Sequence, residues 1–308
     1  MELVFLDRKT IGNDIDLSEF NQFGNVTIYE TTNKEETLKR VKNADIVITN
    51  KVVIDKEIIK NSNIKLICIA ATGMNNVDLE SARMEGIEVK NVSGYSTHSV
   101  AQTTFALALE LIGKTNYYSN YVKEGSWEKS EIFTHIDKPF FELKDKNWGI
   151  IGLGNIGEQV AKIANSFGCN VSYHSTSGKN NNTKYKQKSL ESLLRESDII
   201  SIHCPFNDTT NNMINKTNLN LIKDGSILLN LGRGGIINEK DLVDILANKT
   251  LYCGLDVVET EPLQTTSPLK EIINKHNLII TPHIGWSSIE ARNKLKDGII
   301  ENISKYIS

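Results

Sequence analysis

The chain has little that would tie it to a metal, a disulfide framework, a polyanion or a membrane. Its 4 cysteines, Cys68, Cys169, Cys204 and Cys253, are far apart, show no C-x-x-C spacing and mostly sit inside apolar runs. That pattern argues against zinc ligation and disulfides and predicts reduced, buried thiols, so no metal is expected. Charge is nearly balanced, with 35 Lys and Arg against 38 Asp and Glu for a net charge of -3, and no like-charge run forms a tail. Without a basic field nothing attracts nucleic acid or an anionic membrane, and a small molecule is the expected partner. No apolar run approaches the roughly 20 residues of a membrane span. The opening Met1-Glu2-Leu3-Val4-Phe5-Leu6-Asp7 has no basic segment ahead of an apolar one, so the expected location is the cytoplasm. Tandem repeats are absent, and the one compositionally biased stretch is the Asn- and Lys-rich Gly178 to Lys188.

What the chain does have is material for two cores: 308 residues, 39% hydrophobic, against a usual ~100–200 residues per domain. The first hundred residues alternate short β-rich runs (3–6, 26–29, 45–49, 66–70, 87–92) with polar, helix-compatible segments such as 35–41 and 55–60. That rhythm predicts βαβ units and a parallel sheet. Apolar side chains lie nearly all round the helix predicted from Val100 to Gly113, which implies burial and a crossing between two domains. Tyr117 to Phe141 is rich in aromatics with little regular periodicity, and reads equally as a packing arm or a subunit interface.

The sharpest local signal is Trp148-Gly149-Ile150-Ile151-Gly152-Leu153-Gly154-Asn155-Ile156-Gly157, an apolar strand running through G-x-G-x-x-G into a helix. Gly152 permits the tight turn, Gly154 lets backbone approach a pyrophosphate, and Gly157 allows close packing of helix on strand. Further strands are predicted at 170–174, 198–204, 226–231, 251–257 and 278–281, followed by a last helix over 287–307. Ligands of open parallel sheets bind outside the carboxyl ends of the strands, so Cys204-Pro205, Gly232-Arg233, Asp256 and Pro282-His283 should converge on one crevice.

Several of these residues suit chemistry. His283, before a glycine, can trade a proton near neutral pH. Glu261, before Pro262 on an irregular loop, is the candidate acid to orient it. Arg233, flanked by Gly232, Gly234 and Gly235, can bind a carboxylate through two parallel hydrogen bonds. The loop Ala70 to Asp78, with Thr72, Gly73 and Met74, follows another strand and can hold an anion through backbone N–H groups. Hydride transfer with a nicotinamide cofactor is the chemistry these residues share.

Four motifs then resemble the D-isomer-specific 2-hydroxyacid dehydrogenases: Gly-Leu-Gly-Asn-Ile-Gly at 152–157, Leu-Gly-Arg-Gly-Gly at 231–235, Asp-Val-Val-Glu-Thr-Glu-Pro at 256–262 and Thr-Pro-His-Ile-Gly at 281–285. Ala-Ala-Thr-Gly-Met-Asn-Asn-Val-Asp at 70–78 and Gly-Tyr-Ser-Thr-His-Ser-Val-Ala-Gln at 94–102 look most like the glycerate dehydrogenase, or hydroxypyruvate reductase, branch. The resemblance implies that Arg233 binds the substrate carboxylate and polarises the keto oxygen, and that Glu261 holds His283, which passes the proton. It implies cofactor contacts at Gly152, Gly154, Asn155, Ile156 and Gly157, at Leu231, Gly232 and Gly285, at Asp256 on the nicotinamide side, and at Cys204, Pro205 and Thr210 on the adenosine side. It places the backbone of Thr72, Gly73 and Met74 on the substrate carboxylate. Lys51, after the strand at 45–49, could reach a polar group on the third carbon of hydroxypyruvate.

The implied architecture is α/β, two doubly wound parallel-sheet domains. A Rossmann nucleotide-binding domain, 98–287, is inserted into a flavodoxin-like substrate-binding domain, 1–97 with 288–308, and the protein is expected as a homodimer. Two departures stand out. Gln102 replaces a glutamate common among relatives, and the ribose-binding acid expected ~20 residues past Gly152 is missing. His174, Ser175 and Thr176 stand there, with no acid between Glu158 and Glu191, so either NAD(H) or NADP(H) is expected as cofactor. Alternatives are a D-lactate-type or bulkier 2-keto acid reductase of the same family, and a cofactor-sensing protein that has lost turnover.

Overall fold

The short apolar runs form two all-parallel sheets, one in each of two compact units, residues 1–96 with 286–308 and residues 97–285. The structure, a computed structural model, describes residues 1–180 and 182–308; Asn181, inside the Gly178 to Lys188 stretch, lies outside them. Parallel sheets are what the alternation of runs predicts, and two doubly wound α/β domains are what the family resemblance implies.

In the first unit β1 (Glu2–Phe5), β2 (Asn25–Ile28), β3 (Ile46–Thr49), β4 (Leu66–Ile69) and β5 (Glu88–Asn91) are ordered β2-β1-β3-β4-β5. This is the flavodoxin-like order, with its switch point between β1 and β3. β3 and β4 are buried throughout, as parallel strands covered on both faces must be. Helices α1 (Lys34–Val41), α2 (Lys56–Lys60) and α3 (Leu79–Met84) each start on a capping side chain: Asn33, Asp55 and Asp78 accept from the backbone N–H three residues on. Leu295, Ile299 and Ile303 of the carboxyl-terminal helix, Ile289–Ile307, are buried with Leu3, Phe5, Leu66 and Cys68.

The second unit opens with α4 (Thr97–Gly113) and α5 (Thr115–Lys123), then β6 (Asn147–Ile151), α6 (Asn155–Ser166), β7 (Asn170–His174) and the two-residue β8 (Lys186–Gln187). It continues with α7 (Leu190–Glu196), β9 (Ile199–Ile202), α8 (Lys216–Leu219), β10 (Ile227–Asn230), α9 (Glu239–Asn248), β11 (Tyr252–Leu255) and β12 (Leu278–Ile280). The sheet runs β12-β11-β10-β9-β6-β7-β8. The order reverses between β6 and β9, the Rossmann switch point.

All of α4 belongs to this unit, and it is not buried all round: Gln102, Ala106 and Leu109 line an exposed side, with Val100, Thr104, Leu107 and Leu111 buried opposite. The aromatic stretch after it begins as a regular helix, α5, which Tyr, Asn and Ser had masked. Beyond α5, Tyr121 stacks on His135 at 3.8 Å and Tyr117 Oη lies 2.9 Å from its Nε2, while Phe133, Ile136 and Phe140 remain exposed at 90%, 72% and 64%. The four cysteines are buried and free. Burial pushes the thiols up, Cys68 to about 12 and Cys169 and Cys204 to about 11, so they are poor nucleophiles.

Candidate active site

The crevice at the β6/β9 switch point is shaped by three glycines. Gly152 has φ of +92°, and a Cβ there would lie 2.6 Å from Cys204 N, so the turn presses directly on the loop after β9. A Cβ on Gly157 would collide with the Gly152 carbonyl, which fixes α6 tightly on its strand. Gly154 is different, with nothing within 4 Å of an added Cβ. It is also the N-cap of α6 and supplies no side-chain cap, so the first-turn N–H groups at Asn155 and Ile156 border open space. An anion fits such a place by hydrogen bonding and by the helix dipole.

On the far side of the turn Gly152 N donates to His174 O at 3.0 Å. The His174 ring is itself held, with Nδ1 3.2 Å from Lys188 O. A carbonyl only accepts, so Nδ1 carries the hydrogen and a neutral ring keeps Nε2 as its acceptor. Ser175 is buried and accepts from Asn180 N at 3.4 Å, and Asn180 Nδ2 donates to Leu153 O at 2.6 Å. Thr176 is partly buried. Asn182 ties the same loop to Glu158 in α6 at 3.3 Å.

After β9, Cys204 is buried and Pro205 exposed. The fully buried Thr210 hydroxyl donates to Pro205 O and accepts from Asn207 N, both at 2.8 Å. Thr210 therefore stiffens the loop from within, and its hydroxyl is already engaged there.

β10, β11 and β12 are neighbours, so the loops carrying Arg233, Glu261 and His283 leave the sheet side by side. Leu231 and Gly232 are buried, and Asn230 shapes their turn, accepting from Gly232 N at 3.1 Å and donating to Arg233 O at 2.9 Å. Arg233 is exposed. Its Nη1 donates to Gly232 O at 2.8 Å, and it forms no ion pair among the described residues, which leaves donors for an anionic ligand.

His283 Nδ1 lies 2.7 Å from Glu261 Oε2, with 24% and 31% of the two side chains exposed. His283 has φ of +54°, an uncommon backbone state for a residue with a Cβ. The residues on either side of it are held by Asp256, 3% exposed, whose carboxylate accepts from Thr281 Oγ1 at 2.7 Å and from Ile284 N and Gly285 N at 2.8 Å. A Cβ on Gly285 would sit 2.7 Å from that carboxylate. Ser99 Oγ closes the loop from α4 by donating to Gly285 O at 2.6 Å. Asp256 thus spends its oxygens on the loop that bears His283, a role that the strand-end position alone did not disclose.

Lys51 and the Thr72-Gly73-Met74 loop belong to the other unit. Lys51 follows β3 at that unit's own switch point, exposed, with its backbone N–H donated to the buried Asp7 carboxylate at 2.7 Å. Asn50 N donates to the same carboxylate at 2.9 Å. Thr72 Oγ1 donates to Val92 O at 3.1 Å, and Asn76 Nδ2 ties the loop to Val52 O at 3.0 Å. Asp7, Ser99 and Asn230 were not legible as site supports, since each acts through a partner distant in sequence or through its own turn.

The family model described as D-isomer specific 2-hydroxyacid dehydrogenase, NAD binding domain, matches residues 105–285. The chain belongs to this family. A hydroxypyruvate reductase of Blautia hydrogenotrophica is 38% identical over 317 residues, covering 100% of this chain and 97% of that protein. A glycerate dehydrogenase of Methylorubrum extorquens is 34% identical over 310 residues, covering 100% and 96%. A solved structure described as an acyclic imino acid reductase in complex with NADPH and D-Arg superposes with a TM-score of 0.87 at 31% identity, covering 100% and 97%. The dehydrogenase is therefore an oxidoreductase of CH–OH groups that uses NAD(H) or NADP(H). Among the described residues no helix is long and apolar enough to cross a membrane.

One neighbour of the crevice gives a stability prediction. His203, at the end of β9, leaves part of the residue accessible, yet both ring nitrogens are sealed off with no partner among the described residues. Burial lowers its pKa to about 3, against ~6.5 in an unfolded chain. Between these values the unfolded state binds a proton that the folded state refuses, so stability falls as pH falls through that window, by up to about 1.4 kcal/mol per unit. Equilibrium unfolding between pH 7 and 4 should show this slope flattened in His203→Asn; an unaltered slope would assign the acid loss to other groups.

Proposed function

We propose that this dehydrogenase interconverts hydroxypyruvate and D-glycerate, with glyoxylate as a second substrate. The observation that carries the reading is the 2.7 Å pair of His283 and Glu261 on loops beside that of Arg233; the full-length similarity to a hydroxypyruvate reductase supports the choice of substrate. On this reading residues 97–285 are the dinucleotide-binding domain, and residues 1–96 with 286–308 the substrate-binding domain.

A bound nicotinamide coenzyme supplies hydride exchange with the second carbon of the substrate. The protein supplies the rest. Arg233 takes the substrate carboxylate with its planar fork and polarises the keto oxygen. With Nδ1 held by Glu261, His283 turns Nε2 to that oxygen, donating a proton during reduction and accepting one during oxidation. The Glu261 carboxylate stabilises the imidazolium that forms in the oxidative direction. Backbone at Thr72, Gly73 and Met74 binds the carboxylate, and Lys51 recognises the hydroxyl on the third carbon. Gly152, Gly154, Asn155, Ile156 and Gly157 receive the pyrophosphate. His174, Ser175 and Thr176 take the adenosine ribose, Cys204, Pro205 and Thr210 form the adenine side, and Leu231, Gly232, Asp256 and Gly285 form the nicotinamide side.

We further infer a cytoplasmic homodimer. Its support is the apolar surface of one unit, where Trp127, Phe133, Ile136 and Phe140 are exposed, more than a monomer ordinarily leaves in one segment. Sedimentation velocity should give a dimer, and a monomer at micromolar concentration would remove that assembly.

One kinetic panel tests the chemistry. Wild type should reduce hydroxypyruvate, and Glu261→Gln should lose about 10²–10⁴-fold in turnover with a smaller change in KM. Lys51→Met should lower the preference for hydroxypyruvate over pyruvate. Unchanged rates in Glu261→Gln would exclude Glu261, an unchanged ratio would exclude Lys51, and preference for pyruvate or a bulkier keto acid in wild type would overturn the substrate assignment.

Cofactor choice is tested separately. With no acid at the ribose position and no arginine there either, both repulsion and attraction toward a 2′-phosphate are weak. NADP(H) should be used within about tenfold of NAD(H), ~1.4 kcal/mol in transition-state stabilisation. Steady-state rates with both coenzymes check this, and a preference beyond about a hundredfold would refute it.

A further inference from the structure

Glu239 is an acid that should not be where it is unless something holds it. It is only 6% exposed, at the first turn of α9, and its carboxylate accepts from the backbone of Glu259 at 2.5 Å and from Ser267 Oγ at 3.2 Å. Burying a carboxylate is costly unless its oxygens are bonded, and here both bonds go to the segment that carries Glu261. Glu261 in turn lies two residues beyond Glu259. Its Oε1 accepts from Val258 N at 3.3 Å while Oε2 meets His283.

The same loop is also braced by backbone. Gly234, next to Arg233, has no room for a Cβ because Val258 O and Glu259 N already occupy that position. The loop after β11 is therefore held both by the glycine turn after β10 and by the Glu239 carboxylate from α9. Only the second of these is a side chain, so it can be removed without breaking the turn that presents Arg233.

We infer that Glu239 is a positioning residue for the proton relay, acting through the Val258 to Glu261 loop to keep the Glu261 carboxylate on His283. This rests on the proposed roles of Glu261 and His283. It makes the relay dependent on a hydrogen bond to backbone and not on the Glu239 charge, since neither of the two donors, an amide and a hydroxyl, is cationic.

A double-mutant cycle with Glu261→Gln tests the inference. Glu239→Ala should reduce turnover on the preferred keto acid by about 10–100-fold, the range expected when a catalytic group is displaced by a fraction of an ångström to an ångström, with little change in KM. In the Glu261→Gln background it should add almost nothing, because both changes disable one relay. Glu239→Gln should recover most of the rate, its amide oxygen still accepting from Glu259 N. If the alanine variant does not fold, Glu239→Leu fills the space, cannot accept the N–H, and carries the same cycle. Additive losses, a wild-type rate in Glu239→Ala, or failure of Glu239→Gln to recover activity would overturn the inference. The proposed relay has its own failure: Glu261→Gln with wild-type turnover.

Discussion

Parallel pairing is the constraint on which the site depends. When neighbouring strands run the same way, every carboxyl end opens on the same edge of the sheet, and a crossover must return to the other edge before the next strand begins. Residues far apart in sequence are thereby delivered next to one another. Asn230 pairs with Leu255 and Leu255 with Ile280, so the loops bearing Arg233, Glu261 and His283 begin at one level. A slip of one residue in either pairing would reverse every side chain between the two faces.

Where the strands stop, the ladder stops, and the loops carry N–H groups that no strand satisfies. In three places a buried carboxylate takes them. Asp7 gathers the backbone of Asn50 and Lys51, Asp256 that of Ile284 and Gly285, and Glu239 that of Glu259. A carboxylate suits the task because it accepts several hydrogen bonds at once and offers no donor that would itself need a partner. Bonds to a charged acceptor are also roughly twice as strong as neutral ones. In each unit the loops at the carboxyl edge of the sheet are thus fixed by buried side chains, and flexible-looking sequence is held in one geometry.

The frame was legible because burial on both faces writes itself into composition. Leu66 to Ala70 or Ser226 to Leu231 could be little else than buried strands, and Gly152 and Gly157 of the fingerprint meet the steric roles their spacing implied. Catalytic candidates were legible too, since Arg233 and His283 stand beside glycines at strand ends. What escaped was everything that depends on a distant partner. Asp7 and Glu239 look like solvated acids until the residues 43 and 20 positions away are brought to them. Thr210 gives the same kind of bracing from close by, its hydroxyl bonded to Pro205 and Asn207 within its own loop. Helix α5 escaped for a different reason, its apolar face being built from tyrosines whose hydroxyls reach polar partners in the following segment, Tyr118 Oη donating to Lys138 O at 2.8 Å.

The ribose position brings these strands of reasoning together. A carboxylate there would accept the ribose hydroxyls and repel a 2′-phosphate by the same charge, so acceptance and exclusion are inseparable in an acid. His174 separates them. Its Nδ1 is committed to Lys188 O, which fixes both the ring and the tautomer and leaves Nε2 to accept from a hydroxyl without any negative charge behind it. In the adjoining loop Ser175 is buried against Asn180, whose own amide is anchored on Leu153 O in the fingerprint turn. On the proposed reading, hydrogen bonding to the ribose is retained while the electrostatic barrier to a phosphate is absent, and the fingerprint turn proposed for the pyrophosphate also anchors the ribose loop.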